Sequence, residues 1–182
     1  QPLPPQRLDH GAIGNGRMLA LIAPDSAVEW LCLPQWDSPS VFGSLLDQER
    51  GGTWRIEGPQ GPLRGQLAYE RNTNVLRTTF RDGDAEWEVI DFAPRIPHGL
   101  DVLAPHELVR LVRPLRGTPR VRVVFDPRPD YGRCPVTLQA CDGGLEVVGS
   151  ALRLRLHTNA PVPFVLAGTP FVLQQPLWMV LK

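Results

Sequence analysis

The sequence predicts an all-β chain, an antiparallel sandwich or barrel with one short helix. Three observations predict it. Seventeen glycines and twenty prolines cut the 182 residues into short pieces. Between them lie runs that alternate apolar and polar residues with period two, as half-buried strands do. Those runs recur at roughly 8–12 residue intervals with Gly, Pro and Asp between them, the spacing of stacked or closed sheets.

In chain order, "GAIGNGRMLALI" places Gly14-Asn15-Gly16 ahead of a strand. A dinucleotide motif needs a strand before its glycines and a helix after them. "RMLALI" alternates as a strand, so the glycines are read as a turn. "AVEWLCL" follows as a strand that alternates Val28, Trp30 and Cys32 into the core and stops at Pro34. Ser38 can then cap a helix with Pro39 in its first turn. Val41, Phe42, Leu45 and Leu46 form its apolar stripe, and it ends near Asp47. "TWRIE", "NVLRTTF" and "AEWEVIDF" are strands, the last two joined by a hairpin at Asp82-Gly83. "ELVRLVRPL" and "VRVVF" follow, the second with Val121, Val123 and Phe125 on one face. Asp142-Gly143-Gly144 turns the chain into "GLEVV". "ALRLRLH" sets Leu152, Leu154 and Leu156 against Arg153 and Arg155. "PLWMVL" closes the series and is expected at an unprotected sheet edge. Residues 1–8 read as a loose tail, and residues 9–182 as one β-sandwich domain.

Composition narrows the function. Lys plus Arg and Asp plus Glu are both 19, so the formal charge is zero. That balance argues against a nucleic-acid or anionic-membrane partner. Lys182 is the sole lysine; the arginines suit fixed ion pairs. Cys32, Cys134 and Cys141 are an odd set without close spacing and are expected as reduced thiols. "QPLPPQRLDH" has no apolar core of a leader, and no run approaches the ~20 residues of a membrane span. A cytoplasmic location is therefore expected. The four histidines, His10, His98, His106 and His157, show no ligand spacing. No metal and no cofactor are expected. There is no Gly-x-Ser-x-Gly elbow. Glu86 and Glu88 share a strand face and are read as solvated.

"LPQWDSPSVF" is the segment most able to meet a ligand. Trp36 offers a flat surface for a sugar ring, and Asp37 an acceptor for its hydroxyls. The structural reading is that Trp36 packs beneath the short helix and Asp37 holds the turn through its side chain. The residues alone leave both open.

The chain resembles the opening of bacterial and archaeal glycoside hydrolase family 15 proteins, the glucoamylase and trehalase-like enzymes. The residues that carry the resemblance are "GAIGNGRMLALIAPDSAVEWLCLPQWDSPSVFGSLLD", "NTNVLRTTF", "VIDFAPR", "LVRLVRPLRGTPRVRVVFDPRPDYG" and "HTNAPVPFV", in that order. The usual pattern differs at three points. Ala27 stands near an expected small turn residue, Gln35 where Arg is common, and Trp36 where Phe is common. The resemblance implies a β-supersandwich of galactose mutarotase-like shape preceding an (α/α)6 barrel. It places both catalytic glutamates on the barrel, so no catalytic residue is expected in this chain. The implied role is to buttress the barrel and shape its pocket rim, with Trp36 and Asp37 as rim candidates. The implied partners are that barrel and a carbohydrate at the shared rim.

Two rival functions compete. One is an independent carbohydrate-binding module using Trp36 with Trp54 or Trp87 as a platform. The other is a mutarotase-like enzyme, which needs His157 or His106 to converge with Glu146. A bare apolar face would also permit a homo-oligomer.

Overall fold

The computed structural model describes residues 9–182. The tail expected over residues 1–8 lies outside the described residues. The described chain is an antiparallel β-sandwich. One sheet has seven strands, six of them in the order β1 (Gly11–Gly14), β2 (Leu19–Ile22), β3 (Val28–Cys32), β5 (Thr53–Glu57), β12 (Arg120–Asp126), β16 (Phe171–Val172). The seventh, β4 (Ser40–Phe42), pairs with β3. The other sheet has eight strands, in the order β13 (Thr137–Cys141), β14 (Gly144–Val148), β15 (Leu154–Thr158), β17 (Leu177–Leu181), β11 (Leu108–Arg116), β8 (Ala85–Phe92), β7 (Leu76–Asp82), β6 (Gln66–Tyr69). A separate hairpin joins β9 (Ile96–His98) to β10 (Asp101–Leu103).

The strands expected from alternation all form. Both predicted hairpins are two-residue turns: Asp82 pairs with Ala85, and Cys141 with Gly144. Gly83 and Gly143 take φ of 60° and 74°, the left-handed region that such turns demand. "PLWMVL" departs from expectation. β17 pairs with β15 on one side and β11 on the other, so it is a central strand and not an edge. The free edge at β1 is closed from the opposite sheet. Tyr69 Oη accepts from Ala12 N–H and donates to Ala12 C=O, both at 2.7 Å. One phenol thus does the work of a neighbouring strand.

The expected helix over Ser38 to Asp47 is absent. Ser40–Phe42 pairs with β3 instead, through Leu31–Phe42 and Cys32–Ser40. Pairing satisfies the backbone and buries Val41 and Phe42 together, whereas Leu46 is exposed and could not have completed a buried stripe. Asp47 Oδ1 accepts from Glu49 N–H and Arg50 N–H, holding a turn where a helix end was expected. The short helix of the fold lies elsewhere, at α1 (Val162–Ala167). It starts at a Pro-Val-Pro sequence and stops at Gly168, whose φ is 59°.

Alternation along β3 is also broken. Ile22 pairs with Val28 and Leu21 with Trp30, so Glu29 is the extra residue of a bulge. The bulge shifts the phase of burial. Val28, Leu31 and Cys32 point inward, and Trp30 is only half-buried.

Between the sheets, Phe42, Trp54 and Phe125 form one aromatic cluster, with centroids 5.6–6.4 Å apart. Phe80 stacks on Trp87 at 5.4 Å. Through this layer runs a fully buried ion pair. Arg110 of β11 donates to Asp91 Oδ1 at 2.7 Å and Oδ2 at 3.1 Å. The same guanidinium crosses to the other sheet and donates to Trp54 O at 2.7 Å and Ser26 O at 2.5 Å. It lies 4.9 Å over the Trp54 ring. Burial pushes the Asp91 pKa up, and Arg110 opposes that push.

Arg110→Ala leaves a buried carboxylate and two carbonyls without donors, and should cost about 3–5 kcal/mol in urea unfolding. Arg110→Met with Asp91→Leu removes the charge problem but not the two orphaned carbonyls. It should recover only part of the loss and stay about 2 kcal/mol below the parent. A double variant as stable as the parent would show that the inter-sheet bonds contribute nothing.

Candidate functional site

The turn between β1 and β2 and the turn between β3 and β4 lie at the same end of the first sheet, because β1–β3 are consecutive antiparallel neighbours. The second of these turns is tied by Ser38. Its hydroxyl accepts from Gln35 N–H at 3.1 Å, and Ser38 N–H donates to Gln35 O at 3.1 Å. Asp37 makes no hydrogen bond there, so the side-chain acceptor that sets this turn is Ser38. Trp36 does not pack beneath a helix. It is 69% exposed, where an indole normally seeks cover.

Trp36 lines a groove of about 610 Å³ together with Asn15, Arg17, Asn74 and Arg95. A smaller hollow of about 260 Å³ continues past it to Gln35 and His106. Asp37 lies outside both linings, exposed beside the strand end. Its charge is felt at Cys32, whose thiol burial pushes up and Asp37 pushes the same way. Structure therefore brings Trp36 into the groove and leaves Asp37 at its outer margin.

Asn15 builds this rim. It is buried, and its Nδ2 donates to Pro94 O at 3.1 Å and Pro105 O at 2.7 Å. Its Oδ1 accepts from Arg17 N–H and Met18 N–H. One side chain thus closes the first turn and fastens it to the two segments that flank the β9–β10 hairpin. Asn74 adds a bond to Gly14 O at 2.7 Å. Arg17 and Arg95 are exposed, and neither is in an ion pair among the described residues. The groove offers an aromatic face, two guanidinium groups and the second amide hydrogen of Asn74. It offers no carboxylate. Glycoside hydrolysis uses two carboxyl groups across the bond, so this lining suits holding a ligand.

Other sequence candidates are placed differently. Trp54 and Trp87 are fully buried core residues, so no coplanar exposed pair exists for a sugar platform. Glu146 pairs with Arg155, and no hydrogen bond joins it to His157, one strand over, or to His106 at the groove. The convergence of His157 or His106 with Glu146 that a mutarotase-like site was expected to need does not occur. Glu88 is not solvated: it is 1% exposed and clamped by Arg113 and Arg77 on the sheet's outer face. Glu57 is held likewise by Arg55 and Arg122 on the other sheet. The left-handed strain of the β2–β3 turn falls on Ser26, with φ of 66°, and not on Ala27. The three cysteines are unpaired.

The trehalase-like N-terminal family matches residues 4–165. The chain belongs to that family. Among its curated relatives, the trehalase of Mycolicibacterium smegmatis is 34% identical over 180 residues, 87% of this chain and 26% of the relative. Trehalase 1 of Sulfolobus acidocaldarius is 40% identical over 155 residues, 84% of this chain and 25% of the relative. The trehalase of Mycobacterium tuberculosis is 31% identical over 148 residues, 75% of this chain and 22% of the relative. This trehalase-like N-terminal chain thus spans about a quarter of the length of the relatives it matches. No solved structure matches it. No helix among the described residues is long and apolar enough to cross a membrane.

Asn15→Ala should cost about 2–4 kcal/mol, since four hydrogen bonds of a buried amide are lost. Amide exchange should quicken over residues 93–106 before it quickens in the central strands. Uniform loosening, or an unchanged midpoint in urea, would remove Asn15 from this role.

Proposed function

We propose that the chain is the non-catalytic N-terminal β-sandwich of a family 15 glycoside hydrolase acting on an α-glucoside such as trehalose. Its work is to buttress a catalytic (α/α)6 barrel and to shape the rim of that barrel's pocket. The observation that carries this reading is Trp36, 69% exposed on a turn tied at both ends by β3 and β4. A turn so held loses little conformational freedom when a sugar binds, so stacking is not spent on ordering the loop. The β9–β10 hairpin supports the buttressing role. Ile96, Leu100, Val102 and Leu103 are all exposed on it, beside the groove. Apolar side chains grouped in this way mark a contact surface. Arg17 adds an uncommitted guanidinium for carboxylates or hydroxyls across the same contact, and Arg95 a second one held only by a 3.5 Å bond to Asn15 O. Asp37 belongs to the rim as an acceptor at its margin. A self-sufficient carbohydrate-binding module gains no support, since Trp54 and Trp87 are in the core.

The chain by itself should release no glucose from trehalose, maltose or starch. In a protein where it is followed by the region its relatives carry, Trp36→Ala should lower trehalose turnover about tenfold. Asp37→Ala should lower it less. Neither should move the thermal midpoint, because neither side chain is buried. Glucose release by the chain alone, or wild-type turnover in both variants, would overturn the reading.

A further inference from the structure

An open sheet edge presents backbone N–H and C=O groups that another chain can pair with. Most edges of this sandwich are closed. The start of β6 is stitched to the other sheet: Tyr69 Oη bonds Ala12, Gly65 N–H donates to Pro24 O at 2.8 Å, and Arg64 pairs with Asp9. The outer side of β4 is covered by the segment after β12, since Arg128 N–H donates to Val41 O at 2.8 Å and Tyr131 N–H to Ser40 O at 3.3 Å. β16 is an edge of two residues, Phe171 and Val172. That leaves β13. It runs for five residues, pairs only with β14, and keeps an unbroken register. Its sequence, "TLQAC", holds no charged residue and no proline, the usual means of blunting an edge.

The β13–β14 hairpin decides which groups are free. Its two-residue turn is flanked by Cys141 and Gly144, a hydrogen-bonded pair in such hairpins. Pairs of that kind alternate along the ladder, so Gln139 and Thr137 also direct their backbone groups to β14. Leu138 and Ala140 turn theirs to the open edge, where they meet no partner among the described residues. The side chains of these two residues share the inner face with Val147 and Leu145, which are buried. Leu138 is nonetheless only half-buried and Ala140 is exposed, because no strand lies beyond them.

We propose that β13 pairs antiparallel with β13 of a second copy, across a two-fold axis between the two Gln139 residues, so that one sheet continues through both molecules. In that register Leu138 faces Ala140 of the second copy, and each such pair exchanges both of its bonds. Every outward group of the two residues is then used. Moving the axis onto Leu138 or Ala140 sends the other residue past the strand end, to Asp142 or Val136. Charge favours a second copy as the occupant. The two-fold sets no like charges opposite one another on β13, and a formally neutral chain does not repel itself. Among the edges of the two sheets, only β13 of another copy is both open and of matching length, and a two-fold contact of this kind closes at a dimer. One strand pair buries less than the about 1,200 Å² of stable complexes, so the dimer is weak, with a Kd on the order of 0.1 mM. The edge shares no residue with the Trp36 groove and stands apart from the rim reading.

The test is sedimentation of the chain over a concentration series, with cysteine cross-linking to fix the register. The parent chain should pass from monomer to dimer near 0.1 mM. Gln139→Lys, an exposed change that sets two like charges together at the axis, should weaken association at least tenfold. Ala140→Pro removes an outward N–H that β14 does not use, and should abolish the dimer while leaving the unfolding midpoint in place. In a background of Cys134→Ser and Cys141→Ser, Gln139→Cys should form a disulfide with its own copy under mild oxidation. Facing residues at such a position lie about 4.5 Å apart at Cα, within disulfide reach. Thr137→Cys should not cross-link, since four residues of strand would separate the two thiols by about 13 Å. A chain that stays monomeric at millimolar concentration would overturn the proposal. So would a dimer indifferent to Gln139→Lys and Ala140→Pro, or one that cross-links through Thr137→Cys as readily as through Gln139→Cys. A dimer lost in Leu100→Asp but kept in Gln139→Lys would move the contact to the β9–β10 hairpin. Amide protection of Leu138 and Ala140 in a longer protein that stays monomeric would give the edge to the following region, and either result would overturn it.

Discussion

Arg110 holds the two sheets in register. Apolar packing between sheets is strong but tolerant of sliding, because its energy follows area and not direction. A buried guanidinium is different. It must find acceptors at fixed angles, and here it finds them on both sheets: Asp91 beside it, and Trp54 O and Ser26 O across the core. Burying the ion pair is costly, so it specifies more than it stabilises. Its reach explains the strained Ser26. That residue takes a left-handed φ of 66°, turns its carbonyl to Arg110, and exchanges hydrogen bonds with the Ile56 backbone through its hydroxyl. The β2–β3 turn is thereby fixed to β5. The position of the rim at the far end of β1–β3 follows from that anchor.

Much of the fold was legible because its determinants are local. Alternation revealed the strands, and Asp82-Gly83 and Asp142-Gly143 revealed two hairpins. The failures share one cause: each depended on a partner far along the chain. Val41 and Phe42 fit a helix stripe as well as a strand. Only pairing with Leu31 and Cys32, and contact with Trp54 and Phe125, decided for the strand. "PLWMVL" sits near the end of the sequence but in the middle of its sheet, since β15 and β11 both reach it. The β3 bulge left no mark in "AVEWLCL", whose alternation is regular.

The candidate site was half legible. Trp36 stood out as a large aromatic in a broken strand, and it is exposed. Its companions were hidden. Asn15 read as part of a glycine turn, yet it bonds to carbonyls 79 and 90 residues away. Arg95, Asn74 and His106 carry no local signature at all. The signal that could have marked Asn15 is its place between two glycines, where an amide side chain commonly closes a turn on the backbone. Trp54 and Trp87 were equally plausible as surface aromatics, and only burial shows them to be core.

The central claim is that the rim end of the sandwich, with its exposed tryptophan and apolar hairpin, is the face against which the rest of a trehalase-like protein seats. Hydrogen–deuterium exchange tests it most directly, comparing this chain alone with the same chain followed by the region its relatives carry. The account predicts slower exchange in the longer protein at residues 14–17, 34–38 and 95–103, and no change at residues 23–27. Equal exchange at the rim, or protection confined to the opposite end, would contradict it.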